Sequence, residues 1–172
     1  MENNASVILA IFVAAVIMFG YPLITMAGKT DKAAQVAVES STNQYVDTIR
    51  TTGKLKYSDY EAYLKEISAT GNSFDVEMEL QRLDENASKK AIQSEGTVSS
   101  KSTYTTYYTT QILDMLNNNN GTLLLKEGDI ITAKVTSTNT TIFQQLTKYL
   151  GKNSTTGAIV ASSSGVVTTT AQ

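Results

Sequence analysis

Apolar positions follow three rhythms along this chain. From 5 to 27 the residues read ASVILAIFVAAVIMFGYPLITMA, without a charged side chain. At 1.5 Å per residue such a run makes about 35 Å of helix, enough to cross a bilayer core of about 30 Å. Its large members are Val7, Ile8, Leu9, Ile11, Phe12, Val13, Val16, Ile17, Phe19, Leu23 and Ile24. Together they favour insertion by about 3 to 7 kcal/mol, before penalties for Ser6, Gly20, Pro22 and Thr25. Such a run does not belong on the surface of a soluble domain. Pro22 lacks an N–H and crowds the carbonyl four residues back, so a kink or local opening is expected near Gly20-Tyr21-Pro22.

Beyond Gly28-Lys29 the rhythm becomes that of an amphipathic helix. Ala34, Val38, Ser41, Tyr45 and Ile49 recur at i, i+4, i+7, i+11 and i+15, with Gln35, Glu39, Asn43, Asp47 and Arg50 opposite them. Gly53 is placed to end it as a C′ residue. The pattern predicts one helix over 5–52, about 70 Å long. Two readings of it compete. One is a plain single-pass anchor. The other is a packing helix in a fibre, in which Ala10, Ala14, Ala15 and Gly20 let neighbouring helices approach and Ala33, Ala34, Ala37 and Ser41 extend the small-residue stripe. A simple anchor does not need a rod of nearly 50 residues, which favours the second.

After Gly53 the pattern alternates between helix and strand. Ser58 and Glu61 form a capping-box spacing, with Tyr60, Tyr63, Leu64 and Ile67 as the buried face and Gly71 as terminator. FDVEMEL (74–80) alternates apolar and acidic, as a half-buried strand does. Residues 84–103 are a polar excursion. Tyr107, Ile112, Leu113 and Leu116 predict a short helix stopped by Asn117 to Gly121. Leu123 to Leu125, a turn at 126–129, and Ile131, Ala133 and Val135 predict a hairpin. Asn139 is the expected N-cap of a helix carrying Ile142, Phe143, Leu146 and Leu150, closed by Gly151, and a last strand runs over 157–169. The fold class is therefore α+β, a lollipop. A long N-terminal apolar helix (1–53) carries a small antiparallel-sheet head with short helices on one face (54–172).

Composition narrows the chemistry. There is no cysteine and no histidine among 172 residues, which removes thiolate catalysis, disulfides, Cys-type zinc sites and the usual general base. No nucleophile has a base partner and no Gly-rich phosphate loop is present, so an enzyme is not expected and no cofactor is implied. A net charge of −2 leaves no footprint for nucleic acid. Ser and Thr make up about a quarter of the chain, well above ordinary usage, which suits an exported β-rich protein.

Several small constellations remain. Asp75, Glu77 and Glu79 share one strand face and could bind a cation. The plainer reading is the charged solvent face of an edge strand, since no second segment has ligand spacing. Glu127-Gly128-Asp129 is better explained as a turn than as a metal loop. The sequons at Asn4, Asn86, Asn120, Asn139 and Asn153 are expected chance matches in an Asn- and Thr-rich chain. Tyr104, Tyr107 and Tyr108 are expected to pack on the sheet or on a neighbouring subunit rather than on a ligand.

Taken together, these residues resemble type IV pilin-like proteins. The shared pattern is a long apolar helix with a Gly/Pro interruption near residue 22, running directly into a small α+β head. Two stretches are closer still to small pilin-like subunits of tight-adherence (Tad-type) pilus systems of Gram-positive bacteria. One is YVDTIRTTGK (45–54), followed by Tyr57, Tyr60, Glu61 and TGNSFDVE (70–77). The other is LKEGDIITAKV (125–135), followed by NTTI (139–142).

The resemblance implies a membrane-inserted precursor, head outward, that enters a surface fibre by self-association of its N-terminal helices, alongside other pilus or envelope subunits. Pilins usually begin with a basic leader cut after Gly or Ala, and carry an acid a few positions into the mature helix. Here the nearest acid is Glu2. If Met1 is a mature N-terminus, Glu2 would neutralise a neighbour's α-amino group in the apolar core. If it is the initiator, which is slightly favoured, Glu2 faces water. The missing positive n-region and the length of the run argue against a cleaved signal peptide. Lys29 and Lys32 weakly favour a cytoplasmic C-terminal side. Composition outweighs that small bias, and the head is expected outside. The competing reading is a single-pass anchored extracytoplasmic binding module without a filament role.

Overall fold

In a computed structural model, residues 2–83, 104–149 and 158–171 are described. The first 51 of them, Glu2–Thr52, form a single α-helix (α1), about 75 Å long at 1.5 Å per residue. It runs unbroken through Gly20, Tyr21 and Pro22, so the expected opening there does not interrupt the helix. The helix stops where the chain needs a left-handed residue. Gly53 has φ +65°, and its N–H donates to the Ile49 carbonyl at 2.8 Å.

The head packs on one side of the second half of α1. A strand, β1 (Lys54–Lys56), leads into α2 (Tyr57–Ser68). Then follow β2 (Phe74–Leu83), β3 (Tyr104–Tyr108), α3 (Thr109–Asn118), β4 (Thr122–Leu124), β5 (Ile130–Ser137), α4 (Ile142–Tyr149) and β6 (Val160–Val166). Among the described residues the strands make two sheets. β1 pairs with β4, and the larger sheet has the order β3-β2-β5-β6, antiparallel throughout. The α+β arrangement of a long apolar helix and a small antiparallel head is thus present.

Register explains the core. Val76 lies opposite Val135 and then Ala161, Met78 opposite Ala133 and Ser163, Leu80 opposite Ile131 and Gly165. These side chains share one face, and α1 lies across its β5–β6 side. Ala34, Val38, Ser41, Tyr45 and Ile49 are all buried by the head, as the stripe predicted. Thr42 and Val46, which the stripe omitted, are buried too and widen the contact. The small residues of β6 let the helix close in. At Gly165 a Cβ would come within 2.7 Å of Arg50 Cδ. The reverse face, with Glu77, Lys134, Ser162 and Ser164, is exposed.

Tertiary pairing corrects several sequence expectations. Leu123 to Leu125 do not form a hairpin with Ile131 to Val135. Leu123 pairs with Leu55, both buried, and the Leu125 N–H donates to the Gly53 carbonyl at 2.8 Å. Tyr107 belongs to a strand, not to the helix, because β3 extends β2 by pairing Tyr107 with Leu80. The β2 strand is interior rather than an edge, although Phe74 to Met78 have a strand partner only in β5 among the described residues. Thr109 caps that step: its Oγ1 accepts from the Met78 N–H at 2.8 Å where β3 ends.

Ser58 is not the N-cap of α2. The helix starts at Tyr57, whose N–H donates to the Gly121 carbonyl at 2.8 Å, and Ser58 Oγ bonds Asp59 instead. Asn139 does not cap α4 either. It accepts from the Ser73 N–H and donates to Asn72, while Thr141 Oγ1 accepts from the Gln144 N–H and Gln144 Oε1 from the Thr141 N–H. The polar excursion, Leu150 and Gly151 lie outside the described residues.

Where α1, α2 and β2 meet, the core is polar at its centre. The Tyr45 and Tyr63 rings stack at 4.5 Å with 4° between their planes. Tyr45 donates to Met78 Sδ, and the Tyr63 hydroxyl lies 2.8 Å from Thr42 Oγ1, which itself donates to the Val38 carbonyl. Burial pushes the Tyr63 phenol up to about 12 and raises Tyr45 further. A free tyrosine titrates near pH 10, so above that pH the unfolded chain loses protons that the folded head keeps. The stability these phenols contribute is complete below about pH 10 and is lost as pH rises through about 12. We expect a thermal midpoint that is level from neutral pH to about 9 and falls above about 10. The Tyr45→Phe/Tyr63→Phe variant should show a shallower fall. Equal slopes in the two proteins would refute this assignment.

Candidate functional site

The chain divides its apolar surface unequally. Beyond Gly28, one face of α1 is buried in its own head. Before it, almost nothing covers the helix. Val7, Ile8, Leu9, Ile11, Phe12, Val13, Val16, Ile17, Phe19 and Leu23 are all exposed, Phe12 at 66% and Phe19 at 70%, and Ile24 is half-buried. Ala14 and Pro22 are exposed, and the space around Gly20 is open. The most apolar 18-residue window of this helix has a mean hydropathy of 2.7 with none of it buried. Soluble monomers rarely leave more than a few hundred Å² of contiguous apolar surface uncovered.

This helix is long and apolar enough to cross a membrane, a criterion of length and composition that signal sequences and the core helices of soluble proteins also meet. A core helix within one chain would be mostly buried, and this window is not. The run before Gly28 is therefore not part of the core of this chain's own head. Polar groups within and just after the run are already satisfied: Thr25 Oγ1 donates to the Tyr21 carbonyl at 3.0 Å and Thr30 Oγ1 to that of Met26 at 3.1 Å. The side chain of Glu2 lies outside the described residues.

The second half of the rod differs from the expectation of a continuous self-contact stripe. Ala34 and Ser41 are spent on the head of the same chain. On the outer side Ala33, Val36, Ala37 and Ser40 stay exposed, so a neighbouring copy would meet those instead.

The other candidates are occupied structurally. Glu77 pairs with Lys134 Nζ at 3.0 Å, and Glu79 accepts from Gln81 Nε2 at 2.8 Å. Asp129 is buried, and its carboxylate accepts from the Leu83 and Lys126 N–H groups at 3.1 and 3.0 Å, with Arg82 Nε at 3.8 Å. This carboxylate ties the turn at Gly128, φ +95°, to the end of β2. Among the described residues no group of three or more His, Cys, Asp or Glu is placed to hold a metal ion. Tyr104, Tyr107 and Tyr108 line up along β3, with Tyr108 the most exposed of them. Of the sequons, Asn4 is exposed on α1, Asn120 sits in a left-handed turn at φ +52°, and Asn86 and Asn153 lie outside the described residues.

One feature at the base of the head was not legible from periodicity. Phe143 of α4 packs over Gly28, and a cavity of about 540 Å³ opens beside it, lined by Ile24, Lys29, Asp31, Lys32 and Ile159 among others. The signal in the sequence was the glycine itself, placed where the apolar run meets the first lysine. No family model, curated protein or solved structure matches this chain.

Proposed function

We propose that the chain is a pilin-like structural subunit that packs through the N-terminal half of α1 into a surface filament or its envelope assembly machinery. The observation that supports it best is the division of one unbroken helix: a buried half that carries a folded head, and an uncovered apolar half with small residues at Ala10, Ala14 and Gly20. The role is structural and requires no cofactor. The bilayer holds the helix before assembly, the head lies outside, and copies of the helix replace lipid in the fibre. The motif resemblance narrows this to a subunit of the tight-adherence type.

Electron microscopy of the assembly from the native cell is the direct test. We expect fibres with the apolar helices bundled at the centre and the heads outside, and disulfide-linked dimers from a Phe12→Cys variant of this cysteine-free chain. A monodisperse detergent-solubilised monomer, with no fibres from the cell, would count against the reading. It would favour a single-pass anchored binding module, which the burial of the Ala34–Ile49 stripe in the chain's own head also suits.

A further inference from the structure

We infer that α4 is a membrane-seating helix, which rests the head on an anionic bilayer surface beside the point where α1 enters it. This inference depends on the reading of residues 5–27 as a membrane span.

Two contacts fix α4 just beyond the end of the apolar run. The Phe143 ring fills the space left by the missing side chain of Gly28, where any Cβ would lie 3.0 Å from its Cε2. Thr141, which caps α4 through Gln144, donates to Asp31 Oδ2 at 2.5 Å. The inward face of the helix is thus satisfied by α1. The outward face is not. Ile142 is 70% exposed and Tyr149 90%, the two most exposed large hydrophobic side chains among the described residues of the head. They stand seven residues apart, two turns along one side of the helix, with half-buried Leu146 between them.

Position and charge select the occupant. Gly28 follows the last residue of the run, so α4 sits at headgroup depth when the run spans the bilayer. A tyrosine with its ring in the acyl boundary and its hydroxyl in water suits that depth. Lys29 and Lys32 follow Gly28 on α1 and Lys148 lies in the last turn of α4, while Asp31 is engaged by Thr141. Lysine stems of this kind cover apolar surface and hold their ammonium groups among anionic headgroups. Seating two points of the head, α1 and α4, sets its tilt on the membrane.

The test uses the full chain in phosphatidylglycerol-containing vesicles, with one nitroxide label per protein. A label at Gln145→Cys reads the outward face with Ile142 and Tyr149 intact. Phe12→Cys reads the span and Glu77→Cys the open sheet face. We expect the label at 145 to lose collisions with a water-soluble nickel chelate and gain them with oxygen, while that at 77 stays wet. Adding Ile142→Ser and Tyr149→Ser should return the label at 145 to water without unfolding the head, since both side chains are exposed.

If the label at 12 is in lipid and that at 145 is as wet as that at 77, seating is wrong and the span stands. A wet label at 12 overturns both. Shielding at 145 that vanishes on dilution in lipid would identify a second copy as the occupant and overturn the lipid assignment. So would shielding that survives the double serine change.

Discussion

Replacing Ala14 with glutamate is expected to abolish fibre assembly while leaving much of the protein in the membrane. Ala14 lies near the middle of the uncovered run and is exposed, so the change disturbs no contact within the chain. An ionised side chain at the centre of a span opposes insertion by about 3 kcal/mol on the insertion scale. The eleven large aliphatic and phenylalanine side chains of the run favour it by about 3 to 7 kcal/mol. Insertion therefore weakens but survives. Close helix packing has no such reserve, because an unpaired carboxylate would be sealed between apolar surfaces away from water.

Ala14→Leu sharpens the experiment. It favours insertion, yet crowds a close approach between helices. Fractionation of cells expressing each variant at low level, with microscopy of shed fibres, gives the readout. A simple anchor would show reduced insertion for glutamate and no phenotype for leucine. Normal fibres from the glutamate variant would end the packing reading.

The second large effect is expected at Gly53. Alanine there meets two penalties at once. Its φ of +65° is unfavourable for any residue with a Cβ, by about 1 kcal/mol. The new Cβ would also collide with the Thr169 carbonyl oxygen and approach the Ala171 backbone nitrogen to 2.9 Å. Neither atom is a flexible side-chain end. Relief requires the segment 168–171 to leave, and with it the bonds from Thr168 to the Arg50 carbonyl and from Ala171 to that of Leu125.

We expect a loss of about 2 to 4 kcal/mol, a large share of the stability of a small domain. Urea unfolding followed by circular dichroism measures it. Gly71→Ala is the matched comparison, with φ +83° but nothing within 4 Å of its Cβ, and should lose only about 1 kcal/mol. Equal losses at the two sites would show that the C-terminal segment does not brace the end of α1.

Some of this was legible in the sequence because it is local. The extent of α1 follows from an unbroken helical period, closed by a glycine that alone accepts the left-handed turn easily. The stripe from Ala34 to Ile49 and the alternation of Val76, Met78 and Leu80 mark buried faces, since a period of 3.6 or 2 puts those residues on one side whatever they pack against. Pairing is not local. Leu123 to Leu125 have the same pattern whether they join β5 or β1. The choice went to β1 because Leu55 and Gly53 arrive there on the end of α1. Tyr107 alternates too briefly to separate strand from helix, and only its partner Leu80 decides. Asp129 looks like any turn acid until the Leu83 N–H comes within reach of it.

For the same reason the sequence by itself determined that residues 5–27 need an apolar environment, since that depends on composition and length alone. Only the tertiary structure decided that the head covers one side of α1 from Gly28 onward and leaves the run before it bare. Burial is settled by which surfaces meet across the chain. The head closes on the rod at Gly28, where the missing side chain lets Phe143 lie against the helix backbone.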